Sequence, residues 1–73
     1  MNVSEQEFKY MTEGIISDLI QLLMDRDCMT LGTAVEKVYD SNIYKALLRP
    51  ASNLYSQSSR YVYLLLEKEL KTI

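Results

Sequence analysis

Cys28 is the only cysteine of this chain, and there is no histidine. A lone thiol excludes an intramolecular disulfide and a cysteine cage for a metal. Without imidazole, most zinc sites, the Cys-His and Ser-His nucleophile pairs and the commonest general base are excluded as well. In "RDCMT" the thiol stands beside Asp27, whose charge opposes the thiolate that redox or nucleophilic chemistry needs, so Cys28 is expected to be a buried or half-buried small apolar residue. Asp25 and Asp27 in "DRDC" alternate as calcium ligands do. A calcium loop, however, needs further oxygen ligands and a glycine at its sixth position, where Thr30 stands. These two acids are expected at a solvated helix end. The remaining carboxylates, including Asp18, Glu36, Glu67 and Glu69, are spaced as exposed helix positions, and no catalytic, cofactor-binding or metal-binding set assembles from the residue types present. The expectation is a protein that is not an enzyme and needs no cofactor.

The residues that remain are suited to binding. Six tyrosines, one phenylalanine and no tryptophan supply rings that bury area while a hydroxyl keeps a hydrogen bond. Tyr61 and Tyr63 cannot both face one core from adjacent sides of a helix, so at least one is expected outside. A second set, Asn42, Lys45 and Arg49, lies on the second half of "TLGTAVEKVYDSNIYKALLRP" and would form the polar side of a recognition helix if residues 30–49 acted as a helix-turn-helix, with Lys37 and Arg60 adding phosphate contacts. The net charge of -2 and the pI near 4.9 count against that, because nonspecific affinity for nucleic acid comes from Lys and Arg that displace condensed counterions.

The elements that would carry these residues are all helical. Ser4 and Glu7 have the capping-box spacing, and Phe8, Met11, Ile15, Leu19, Leu22 and Leu23 follow on one stripe, which predicts a helix over 5–26. Ile16, Ile20 and Met24 widen its apolar surface beyond a single stripe. Thr30 can cap a second helix over 31–39, with Leu31, Ala34, Val35 and Val38 on one face. Asp40 or Ser41 can cap a third over 42–49, built on Ile43, Tyr44, Leu47 and Leu48 and ended by Pro50. "PASN" reads as a turn in which Asn53 takes the left-handed conformation.

"YVYLLL" is rich in strand formers. It continues into "EKELK", where Val62, Leu65, Leu66 and Leu70 keep helical spacing, and no other segment reads as a strand to pair with it. A last helix over 58–71, capped by Ser58 or Ser56, is therefore expected. Its apolar run falls well short of the roughly 18 residues that a membrane span requires. "MNVSEQEFKY" has neither the basic nor the apolar region of a secretory signal, and the expected location is cytoplasmic. A chain of 73 residues makes one domain, 1–73, an all-α bundle of three to four helices. At that size roughly 60% of the unfolded surface is buried, which leaves a marginal core.

The segment "NLYSQSSRYVYLLLEKEL" resembles the C-terminal signature of a family of small all-helical bacterial proteins of unknown function: Gly-Leu-Tyr, one variable residue, Gln-Ser-Pro, another variable residue, then Tyr-Val-Tyr and a Leu/Glu-rich helix. Leu54, Tyr55, Gln57, Ser58, Tyr61, Val62 and Tyr63 match, and "AVEKVYDSNIYKAL" is similar to the segment before it, so the resemblance spans about residues 31–70. Asn53 stands where that pattern has glycine and Ser59 where it has proline; both replacements suit a left-handed turn followed by a capped helix. The resemblance implies an all-helical bacterial protein and carries no site residues. Because such small proteins occur beside toxin-like genes, it also implies an antitoxin-like alternative.

Together these readings point to a noncatalytic helical protein-interaction module that self-associates or binds another protein, with no membrane partner and with Ile16, Ile20, Met24, Tyr61 and Tyr63 as candidate interface residues. The alternative is a DNA-binding or antitoxin-like regulator contacting nucleic acid through Asn42, Lys45 and Arg49.

Overall fold

The computed structural model describes residues 3–71, and all regular structure within them is helical. Helix α1 spans Glu5–Arg26, α2 Leu31–Tyr39, α3 Asn42–Leu47 and α4 Ser59–Lys71, with two 3-10 turns, Pro50–Ser52 and Leu54–Ser56, between α3 and α4. A 22-residue helix is about 33 Å long. It supplies nearly the whole 36 Å long axis of the molecule, and α2, α4 and the second 3-10 turn pack along it.

Each start is set by a side chain the sequence places there. The Ser4 hydroxyl accepts from the Glu7 N–H, and the Ser4 N–H donates back to the Glu7 carboxylate, both at 3.1 Å. The bonds from Ser4, the backbone one foremost, favour the charged form and hold the Glu7 carboxyl below its ordinary range. Thr30 accepts from the Thr33 N–H, Ser41 from Tyr44 and Ser58 from Tyr61. Arg49, which precedes Pro50, is extended, and Asn53 takes the left-handed conformation at φ 60°. Helix α3 is shorter than its apolar pattern predicts. It ends at Leu47 with Leu48 as its C-cap, and the chain turns at Arg49 and Pro50.

The core is small and shared by all four helices. Leu19 and Leu23 of α1, Ala34 and Val38 of α2, Leu47 of α3, and Val62 and Leu66 of α4 are entirely closed to solvent. Burying one such leucine contributes roughly 2 kcal/mol, so a few side chains decide whether this chain folds. Thr12 is also buried, its hydroxyl donating to the Lys9 carbonyl at 2.9 Å. Leu31 and Leu48, expected on apolar faces, are 58% and 47% exposed. Helical period assigns a face; it does not say how far the neighbours extend to cover it.

Cys28 departs from its expected role. It is exposed and left-handed at φ 57°, the residue at which the chain leaves α1. The Leu23 carbonyl accepts from both the Asp27 and the Met29 N–H, at 3.1 and 3.2 Å, which fixes this reversal. A β-carbon in left-handed geometry meets the following carbonyl oxygen. Replacing Cys28 by Gly should therefore raise stability by about 1 kcal/mol, read as a higher thermal midpoint; an unchanged or lower midpoint would show that the turn carries no strain.

A long-range cap joins the last turns of α4 to the start of α3. The Glu69 carboxylate of α4 accepts from the Asn42 N–H at 2.8 Å and the Ile43 N–H at 3.1 Å, while Ser41 holds the third N–H of α3 and donates to the Val38 carbonyl at 2.6 Å. Charge-assisted bonds of this kind are worth more than neutral ones. Glu69→Ala is expected to cost about 1–2 kcal/mol in urea denaturation, against no more than about 0.5 kcal/mol for Glu13→Ala on the exposed side of α1.

Candidate functional site

Helix α4 has two apolar faces. Successive residues turn by about 100°, so Val62, Tyr63, Leu66 and Leu70 point to the core while Tyr61, Leu64, Leu65 and Lys68 lie on the opposite side. The inner set is buried or packed against the core. On the outer side, Tyr61 is 48% and Leu64 54% exposed, and Leu65 is half-buried. With Glu67, Lys68 and Lys71 these residues line a shallow groove of about 440 Å³. Spacing of three, four and seven residues makes it a continuous helical stripe, distinct from the scattered exposure of Tyr10, Leu31 and Leu48.

The five candidate interface residues separate accordingly. Ile16 and Tyr63 lie in the core, 8% and 2% exposed. Ile20 and Met24 are partly buried against the same core. Ile16 and Ile20 also line a shallow depression of about 310 Å³ with Glu13, Ser17 and Tyr39. Tyr61 alone of the five stands well out from the protein. Leu64 and Leu65 join it. Leu64 was masked by the apolar run that also contains the core residues Val62, Tyr63 and Leu66, and Leu65, which spacing assigns to the stripe of Val62, Leu66 and Leu70, turns instead toward the outer groove because it sits at the edge of that stripe.

Tyr63 is inside because its ring fills the core and its hydroxyl has somewhere to go. The hydroxyl lies 3.0 Å from Glu67 Oε2 and 3.3 Å from each oxygen of Asp27, so its one proton is shared between two carboxylates. The pairing ties α4 to the C-terminal end of α1. Near the start of α4, the Ser59 hydroxyl donates to Asp18 Oδ2 at 2.6 Å and makes a second tie to α1. Tyr39 and Tyr44 meet at a tilt of 58° with 4.7 Å between ring centres, and Tyr55 meets Phe8 edge-on at 5.0 Å, fixing the second 3-10 turn against α1.

Asn42, Lys45 and Arg49 are all exposed. Asn42 and Lys45 lie on α3, a helix of only six residues, and Arg49 falls just beyond its end. The first two N–H groups of α3 point at the Glu69 carboxylate. A negative group therefore stands at the end of the helix that a major-groove reader turns toward the bases and phosphates. Among the described residues, no group of His, Cys, Asp and Glu is arranged to hold a metal, and no helix is long and apolar enough to cross a membrane.

No family model, no curated protein and no solved structure matches this chain.

Burial first, then the hydrogen bond to Glu67 and the charge of Asp27, push the Tyr63 phenol up to about 12. The unfolded chain releases that proton near pH 10, so between about pH 10 and 12 it binds fewer protons than the folded chain and stability falls as pH rises. Below pH 10 the contribution is complete. Across this window wild-type stability should drop by on the order of 1 kcal/mol more than that of Tyr63→Phe, which has no such proton, because solvent at the edge of the site screens part of the interaction. Parallel denaturation curves for the two proteins would exclude this role for Tyr63.

Proposed function

We propose that this chain is a noncatalytic, self-associating helical interaction module, and that its contact surface is the outward face of α4. The carrying observation is the outward stripe of exposed Tyr61 and Leu64 with half-buried Leu65, opposite the face that α4 already buries. Isolated apolar residues on a surface need no explanation, whereas a continuous stripe at helical spacing is the form in which one helix receives another. Tyrosine at the edge of the stripe suits a contact that is apolar at its centre and wet at its rim. The C-terminal resemblance further supports a small all-helical bacterial protein.

A seam of two 13-residue helices lies at the small end of specific interfaces, below about 1,200 Å² in total. The association should accordingly be reversible and of micromolar strength. The DNA-binding alternative draws no comparable support, because α3 is short and carries the Glu69 carboxylate at its leading end.

Sedimentation velocity across the micromolar range should show a concentration-dependent monomer to dimer shift. Leu64→Glu should abolish that shift while leaving the thermal midpoint nearly unchanged, since the residue is exposed in the monomer. A wild-type protein that stays strictly monomeric over that range would sink the proposal.

A further inference from the structure

We infer that the occupant of this face is a second copy laid antiparallel across α4, with Tyr61 against the partner's Leu64 and Arg60 against the partner's Glu67. The inference rests on the self-association reading above and specifies its orientation and register. Along the outer stripe Tyr61 and Lys68 share one seam position, and Leu64 and Lys71 the other. Arg60 and Glu67 are one heptad apart. They flank the seam on the same side and carry opposite charges.

That arrangement separates the possible pairings. Parallel helices bring identical seam positions together, so Lys68 would meet Lys68 and Lys71 would meet Lys71 in the narrowest part of the contact. Antiparallel helices bring a flank against the same flank of the other helix. With Tyr61 on the partner's Leu64, the two-fold axis sets Arg60 beside the partner's Glu67 and repeats the pair on the other side. Sliding the helices by one heptad would oppose Tyr61 to Lys71, Leu64 to Lys68 and Glu67 to Glu67, replacing two attractions with a repulsion. A carboxylate has two accepting oxygens, so the bond from the Tyr63 hydroxyl to Glu67 Oε2 is compatible with an arginine at the same group. The favoured register also stacks both tyrosine rings on leucine, away from the lysines.

The test is a charge exchange read by sedimentation. Arg60→Glu alone and Glu67→Arg alone each put like charges on both flanks and should weaken association at least about tenfold. In an equimolar mixture of the two variants every flank contact is opposite in sign, and association should return to near the wild-type strength. Circular dichroism verifies that each variant is folded, Asp27 remaining as an acceptor for Tyr63 when Glu67 is replaced.

A second measurement does not depend on Glu67. In a Cys28→Gly background, mixed Tyr61→Cys and Leu64→Cys chains should form the mixed disulfide in preference to either homodimer. No rescue on mixing folded variants, or preferential homodimer cross-links, would overturn the register. If Leu64→Glu still abolished association in that case, self-association through this face would stand. If Leu64→Glu had no effect, the underlying reading would fail with it.

Discussion

Helices α2 and α4 and the second 3-10 turn take their places from the inner stripe of α1, where Leu19 and Leu23 are sealed from water. A domain this small cannot spread its core over several centres, so one long helix serves as the floor for all of it. Helix α2 covers it on one side and α4 on another, and the second 3-10 turn reaches its N-terminal half through Tyr55 and Phe8. Polar ties then settle details that apolar packing leaves loose. Ser59 bonds to Asp18 near the start of α4, and Tyr63 shares its proton with Asp27 at the end of α1. Neither tie would form if α4 were rotated far enough to place Tyr61 inside.

Much of this was legible because it is local. Ser4 with Glu7, Thr30, Ser41 and Ser58 act within three residues of the groups they satisfy, so sequence spacing alone locates the helix starts. The same holds for Pro50, which forces Arg49 out of helical geometry, and for Asn53 in the left-handed turn. Period also sufficed to show that Tyr61 and Tyr63 must part company. It could not choose between them, because the choice depends on carboxylates 4 and 36 residues away.

The illegible features are those decided by distant partners or by the absence of cover. Glu69 looks like any exposed acid on a closing helix, yet it meets backbone groups 26 and 27 residues earlier. Cys28 has the composition of a core residue but stands at a chain reversal, where backbone geometry sets its position and side-chain polarity has little say. Leu64 was hidden by its company. In a run of six apolar residues every face of the helix is apolar, although a helix can bury only part of its circumference against one layer.

The Glu69 cap also bears on how the chain is made. Residues 42 and 43 are added well before residue 69, and a six-residue helix does not persist alone in water. During that interval the leading turn of α3 lacks its carboxylate, and the core lacks Val62 and Leu66. The nascent chain is therefore held open until its final helix emerges, and the inner and outer faces of α4 arrive together. Completion of the core and creation of the outer apolar face of α4 are, for this chain, the same event.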